Sequence, residues 1–90
     1  MAVKVLVICR TLPGVTPADI GRHYASEASE LRRLRESGTL LEAFSPGGPG
    51  AVLLMETSGA SQAADIAESL PLRKAGLITT EIIELHPLNF

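Results

Sequence analysis

Residues 16–38 read TPADIGRHYASEASELRRLRESG, and the predicted fold is built around them. Thr16 and Asp19 have the spacing of a capping box, in which each side chain accepts a hydrogen bond from the backbone of the other residue. Pro17 suits the first helical position because its missing N–H would have no partner there. Gly38 can take the left-handed conformation that ends many helices. The stretch therefore predicts one long helix.

The periodicity of this helix separates an apolar face from a charged face. At about 100° per residue, the face that a core would bury carries Ile20, Tyr24, Ala28, Leu31 and Leu34. Glu27 lies inside that face, where a surface helix would carry leucine, and His23 lies four residues earlier on its edge. Two interpretations follow. Glu27 is a functional carboxylate in an apolar pocket, or it reaches the helix edge and pairs with His23 or an arginine.

Four strands and a second helix are predicted in the remaining sequence. Runs rich in Val, Ile and Leu predict strands over 2–10, 40–45, 51–56 and 78–85. A loop rich in Pro and Gly, residues 45–50, closes a hairpin between the second and third strands. The second helix takes Ser58 or Ser61 as its N-cap, runs to about Leu70 and ends at Pro71.

The order β-α-β-β-α-β predicts an α+β, ferredoxin-like single domain over residues 1–90, with a four-stranded antiparallel sheet. The first strand is apolar on both sides, with Val5 and Val7 on one and Leu6 and Ile8 on the other. Because one helix layer covers only one sheet face, we expect a second copy to bury the other face. This arrangement is the dimeric α+β barrel, so the expected assembly is a homodimer or a higher homo-oligomer.

Composition limits the classes of function. The chain has a net charge of −2, no Trp, one Tyr and two Phe. Its basic and acidic residues are intermixed, so it lacks the basic footprint of a nucleic-acid-binding protein. Cys9 has no cysteine partner within the chain, and no residues have metal-ligand spacing. We expect no nucleic-acid partner, no metal and no cofactor.

The apolar runs are short. Lys4 interrupts the run at the start of the sequence, which is too short for a signal peptide. No segment approaches the roughly 20 apolar residues of a membrane-spanning helix. We expect a cytoplasmic protein that has no membrane partner.

Several short features along the chain also occur together in one known family. They are Pro17-Ala18, Glu27, Gly38-Thr39, Leu70-Pro71-Leu72 and His86-Pro87. With these features the chain resembles muconolactone delta-isomerase-type proteins, which are small ferredoxin-like subunits that assemble into dimers or larger rings. The resemblance implies an isomerase of aromatic compound catabolism, which shifts a proton beside a lactone carbonyl and so moves a ring double bond.

The sequence departs from this family where the pocket wall is expected. The position of Tyr24 is a lysine in the family, and the second strand there carries aromatic and basic residues in place of Leu40, Leu41 and Glu42. The hairpin loop is rich in Pro and Gly instead of His and aromatic residues. These changes remove positive charge that would suit a carboxylate-bearing lactone.

A proton shift of this kind needs a base and a group that steadies the enolate oxygen. Glu27 is the candidate base, because desolvation in an apolar pocket would raise its pKa. His23 could shuttle the proton or orient Glu27, although a single histidine on a helix edge is often only solvated. The Tyr24 hydroxyl could donate to the enolate, or Tyr24 could simply be a core residue.

Three strand residues are candidates for substrate binding. Arg10 could hold a substrate carboxylate, or it could lie on the surface at the end of its strand. Glu42 and Glu56 could face either the pocket or solvent, depending on the register of their strands. Cys9 is expected to be a small buried apolar residue.

The leading functional prediction is a muconolactone isomerase-like enzyme acting on a lactone or a related small oxygenated ring. Two alternatives remain open at this stage. One is another enzyme of the same architecture, such as a cofactor-independent monooxygenase or a polyketide-type cyclase. The other is a non-catalytic protein that binds a small molecule or serves in assembly. The fold alone does not choose among them.

Overall fold

The β-α-β-β-α-β order predicted from the sequence is present in the computed structural model, which describes residues 2–90. Its strands are β1 (Val3–Thr11), β2 (Leu40–Phe44), β3 (Ala51–Thr57) and β4 (Ile78–Leu85). Its helical segments are α1 (Pro17–Gly21), α2 (Tyr24–Glu36), α3 (Ala60–Glu68) and α4 (Pro71–Lys74). The predicted strands agree with these bounds to within one residue.

The strands form one sheet in the order β2-β3-β1-β4, and every neighbouring pair is antiparallel. The two central strands are β3 and β1, with Val7 opposite both Leu53 and Ile82. This strand order, with the helices packed on one face, is the ferredoxin-like subunit fold of the dimeric α+β barrels. The predicted fold class is therefore confirmed.

The long helix predicted over residues 16–38 is divided in two, so that prediction is wrong in its continuity. His23 has φ −113° and ψ 3°, which lies outside the helical region. Its N–H donates to the Ile20 carbonyl at 3.0 Å, three residues back, instead of making the helical bond four residues back. Gly21, a weak helix former, lies just before the break. The break separates α1 from α2, and residues of both helices line the cavity described below.

Both ends of the predicted stretch are confirmed. The Thr16 hydroxyl accepts a hydrogen bond from the Asp19 N–H (3.2 Å), and the Asp19 carboxylate accepts one from the Thr16 N–H (2.9 Å). At the other end Gly38 has φ +84°, and the Thr39 N–H donates to the Leu34 carbonyl at 3.0 Å. This pattern is a Schellman motif, which turns the chain directly into β2.

The predicted N-cap of the second helix is wrong. The N-cap of α3 is Gly59, and no side chain at that position caps the helix. Glu84 on β4 accepts a hydrogen bond from the Ala60 N–H at 3.2 Å. A carboxylate distant in sequence therefore caps the helix in place of Ser58 or Ser61. Helix α3 ends at Glu68, and Pro71 opens the single turn α4.

The helices bury one face of the sheet. Val5 and Val7 on β1 and Leu53 and Met55 on β3 are at most 1% exposed beneath the helices. The opposite face is uncovered and has an apolar centre flanked by charged residues, with Leu6, Ile8, Val52 and Leu54 only partly buried and Phe44 52% exposed. Over residues 2–90, no helix has the length and apolarity needed to cross a membrane.

Gly50 fixes the approach of the hairpin loop to β1, and its replacement should be costly. Gly50 has φ +106°, and a Cβ built on it would lie 2.5 Å from the Cys9 carbonyl oxygen. Gly50→Ala should therefore lower the free energy of unfolding by about 3 kcal/mol or more, because left-handed strain adds to a backbone clash.

The matched control is Gly38→Ala, since Gly38 has φ +84° and open space around the missing Cβ. This variant should lose only the left-handed cost of about 1 to 2 kcal/mol. Urea unfolding of the two variants measures the difference, and equal losses would contradict the close approach at Gly50.

Candidate active site

A cavity of about 500 Å³ lies between the sheet and the helices α1 and α2. Its walls come from the end of β1, the turn into α1, one face of α2, the end of the hairpin loop and the start of α4. The volume is within the range of ligand pockets that bind small molecules. Most of the lining is aliphatic, and among residues 2–90 Glu27 is the one lining residue that carries a formal charge at neutral pH.

Glu27 occupies the cavity because of its spacing on α2. Glu27, Leu31 and Leu34 follow one another at intervals of four and three residues, so they share the helix face that packs toward the sheet. Leu34 is 3% exposed in the core and Glu27 is 9% exposed. Glu27 is therefore held inside the protein and lines the cavity. Its role as a catalytic base stays a prediction.

One carboxylate oxygen of Glu27 is fixed by the backbone of α4. The Leu72 N–H donates a hydrogen bond to Oε1 of Glu27 at 3.0 Å. Leu72 lies in the first turn of α4, where an N–H has no partner inside the helix. Leu70 has φ −64° and ψ 137°, the extended conformation favoured before proline. The Leu70-Pro71-Leu72 segment therefore follows the end of α3, starts α4 and directs the Leu72 N–H to Glu27.

The second oxygen, Oε2 of Glu27, is open to the cavity. Within residues 2–90 no donor reaches Oε2, and no buried side-chain oxygen is left without a partner. Oε2 must therefore be accessible, and the cavity is the space beside it. Glu27 also makes no ion pair with any residue from 2 to 90, which removes the interpretation that it pairs with His23 or an arginine.

Burial controls the protonation of Glu27. Desolvation raises the pKa of this carboxyl above its ordinary value, and the nearby charge of Glu30 adds to the rise. The Leu72 N–H acts in the opposite direction, because it stabilises the ionised form. A carboxylate with a raised pKa is a stronger base than an exposed one, which suits removal of a proton from carbon.

Cys9 and Thr11 form the floor of the cavity at the end of β1. Burial and the charge of Glu27 raise the pKa of the Cys9 thiol to about 11, so it stays protonated at neutral pH. A thiol in that state is a weak hydrogen-bond donor and not a nucleophile. The Thr11 hydroxyl makes no hydrogen bond to any side chain or backbone group in the described part of the chain, which leaves it free for a ligand.

Tyr24 and His23 occupy different positions from those that the helical pattern predicts. Tyr24 is 69% exposed and lies at the mouth of the cavity, because α2 begins there after the break. Its hydroxyl can reach a ligand from the solvent side. His23 is half-buried and does not line the cavity. Its carbonyl accepts a hydrogen bond from the Glu27 N–H at 2.9 Å, so it supports the first turn of α2.

The three strand residues considered for substrate binding lie on the other side of the sheet. Glu42 is paired with Leu54, and Glu56 with Lys4, on the uncovered face. Arg10 is on the same face, where its guanidinium bonds the Glu81 carboxylate at 2.8 Å. None of the three lines the cavity of the chain. Their part in substrate binding stays a prediction.

Sequence reasoning missed Thr11 and the backbone of Leu72. Thr11 continues the side of β1 that carries Val7 and Cys9, so a strand one residue longer would have included it. The hydrogen bond to Glu27 spans 45 residues, and no local pattern announces it. The proline before Leu72 was nevertheless a signal, because it creates a helix start with unpaired donors.

Substitution of Glu27 should separate its charge from its hydrogen bond. Glu27→Gln keeps an acceptor for Leu72 and removes a buried charge, so the free energy of unfolding at pH 7 should be unchanged or higher by about 1 kcal/mol. Glu27→Met has similar size but no acceptor, and should be about 1 to 3 kcal/mol less stable than Glu27→Gln.

The pH dependence of unfolding checks the same interpretation. Because the folded pKa of Glu27 is raised above its ordinary value of 4.5, the wild type should lose stability as pH rises from 4.5 through the folded pKa. Glu27→Gln should lack that component in urea unfolding. Identical pH profiles would contradict the burial of an ionisable group here.

Comparison with known proteins identifies a structural neighbour. The chain matches 5-chloro-2-hydroxyhydroquinone dehydrochlorinase (TftG) from Burkholderia phenoliruptrix AC1100, solved as a complex with 2,5-dihydroxybenzoquinone. The TM-score is 0.75 and the sequence identity 20%, over 92% of this chain and 93% of the neighbour. No protein-family model and no curated sequence matches the chain. The likeness shows that the two proteins share a fold.

Proposed function

We propose that the protein is a muconolactone isomerase-like enzyme that shifts a proton, and with it a double bond, in a lactone or a related small oxygenated ring. The observation that carries this proposal is the geometry of Glu27. One of its oxygens is held by the Leu72 N–H, and the other is open to a cavity that contains no other charged side chain among its described lining residues. This is the arrangement that a general base needs.

The proposed reaction has two proton transfers. Oε2 of Glu27 takes a proton from the saturated ring carbon at the far end of the conjugated system, and the C–H bonding electrons form the dienolate. The protonated Glu27 then delivers a proton to the carbon beside the ring carbonyl, which moves the double bond and restores the carboxylate. The hydroxyls of Thr11 and Tyr24, which both line the cavity, can donate to the enolate oxygen.

The structural neighbour supports a ring substrate of this size. TftG binds 2,5-dihydroxybenzoquinone, an oxygenated six-carbon ring, on the same fold. Loss of hydrogen chloride from carbon also requires loss of a proton, so a carboxylate base in such a fold could serve either reaction. Together with the muconolactone isomerase-like features of the sequence, this favours a role in aromatic compound catabolism.

Deuterium exchange tests the proposal. In deuterated water, proton NMR should show a moved double bond or deuterium beside the carbonyl in at least one member of a set made of muconolactone and simpler butenolides when the protein is added. Glu27→Gln should lower the rate at least about a thousandfold, since its amide cannot accept the proton. Glu36→Gln is the matched control, because Glu36 is exposed on the same helix, and it should retain the wild-type rate.

The pH profile of the same reaction identifies the base. The rate should fall as pH drops through the Glu27 pKa, with a midpoint above the ordinary carboxyl value of 4.5. A binding protein would give a different result. In that case the wild type and Glu27→Gln would bind these compounds with equal affinity, and neither form would catalyse deuterium exchange. That result would overturn the proposed activity.

We also propose that two copies pack through the uncovered sheet face as a homodimer. The face carries partly buried Leu6 and Leu54 at its centre and exposed Ile83 and Leu85 toward one edge. A contiguous apolar surface of this kind is typical of an interface between subunits.

Light scattering tests the assembly. The mass of the wild type should be near twice the 9.5 kDa of one chain, or a higher multiple. Leu6→Glu places a charge at the centre of the face and should give the monomer mass at micromolar concentration. Gln62→Glu serves as the control, because Gln62 is an exposed residue of α3, and it should leave the mass unchanged. A monomeric wild type would contradict the proposal.

A further inference from the structure

The ionisable side chains that line the cavity are those of acids, and no basic side chain of residues 2–90 lines it. Its lining includes Glu27, Cys9 and Tyr24, and none of the eight Lys and Arg residues of the chain. A substrate carboxylate would therefore enter a space to which the described residues contribute one negative charge and no positive charge. The cavity is also more apolar than a pocket for a charged metabolite needs to be, with Val15, Ile20, Leu31, Leu53, Leu72 and Ile78 in its walls.

Two arginines that are adjacent in sequence to cavity residues are already paired with carboxylates. Arg22, adjacent in sequence to cavity residue Gly21, pairs with Asp19 at 2.9 Å, and the pair lies outside the lining. Arg10 follows Cys9 on β1, but the alternation of the strand places it on the opposite sheet face, where it pairs with Glu81. Neither guanidinium can neutralise an anion beside Glu27 without breaking its own pair.

The pKa of Cys9 shows that a second negative charge in this cavity is unfavourable. Burial and the charge of Glu27 together raise the pKa of the Cys9 thiol to about 11. A ligand carboxylate placed near the same floor would meet both effects, loss of water and repulsion from Glu27. A neutral ester or alkyl group would meet neither of them, and would bury apolar surface against the aliphatic wall.

From the lining we infer that the substrate is an uncharged oxygenated ring that carries an apolar substituent, not a ring acid such as muconolactone. This inference rests on the proposed function for the identity of the reacting ring, and it concerns the rest of the ligand. The carbonyl end of the ring lies toward Glu27, and the substituent occupies the aliphatic part of a cavity of about 500 Å³, which is larger than a single five-membered ring fills.

Binding of saturated lactones tests this inference independently of catalysis, since they have no double bond to move. Calorimetry on the wild type would compare 5-oxotetrahydrofuran-2-acetic acid, ionised at pH 7, with its methyl ester. The ester should bind at least about tenfold more tightly. Equal or tighter binding of the acid would overturn the inference and would indicate a cation supplied by another copy of the chain.

The apolar substituent has its own comparison. The lactone with a butyl chain at the same position should bind at least about tenfold more tightly than unsubstituted butyrolactone, since each buried methylene adds to affinity. Equal affinities, or binding of none of these compounds at millimolar concentration, would overturn the inference. These outcomes are separate from the exchange experiment, because an active enzyme that prefers the acid would keep the proposed reaction and lose the proposed substrate class.

A matched pair of variants locates the charge selection. Tyr24 is at the cavity mouth, so Tyr24→Lys can lay its stem on the apolar wall and bring an ammonium to the ligand. Tyr24→Met has a similar stem without the charge. The lysine variant should bind the acid at least about tenfold more tightly than the methionine variant and the ester equally. Equal binding of the acid by both variants would contradict the inference that the lack of a positive charge near the cavity mouth is what disfavours the acid.

Discussion

The hydrogen bond from the Leu72 N–H to Oε1 of Glu27 is the contact on which the candidate site depends. It joins α2 to α4. It also lowers the free-energy cost of burying the carboxylate, because one of the two oxygens has a hydrogen-bond donor. The same contact occupies Oε1 and leaves Oε2 without a donor among residues 2–90. If the donor were a lysine or arginine, the charge of Glu27 would be neutralised and its pKa lowered. A backbone N–H orients the carboxylate without removing its basicity.

Much of the fold could be predicted because its signals are local. The capping box at Thr16, the left-handed Gly38 and the helix stop before Pro71 each act through their own backbone, and the structure has all three. The break at His23 could not be predicted in this way, since residues on both sides of it have helical periodicity. Glu84 caps α3 from a strand 24 residues away, and sequence pattern does not reveal a capping residue at that distance.

The candidate site could be predicted only where one helix carries it. Glu27 stands out within an apolar helical face, and the structure places it in the cavity. The strand residues were harder to place, because β1 is apolar on both sides and its pattern does not say which side meets the helices. The register of strand pairing determines which residues share a face. Arg10, Glu42 and Glu56 lie on the face away from the cavity.

The register of β1 consequently controls two surfaces at once. Successive residues alternate between them, so Cys9 and Thr11 reach the cavity while Leu6 and Ile8 reach the uncovered face. A shift of one residue would exchange these sets, placing Leu and Ile in the cavity and a thiol on the apolar face. Gly50 opposes such a shift, because its backbone approaches the Cys9 carbonyl too closely for any side chain. The hairpin loop therefore has a structural role, since it fixes both the floor of the cavity and the residues on the uncovered face.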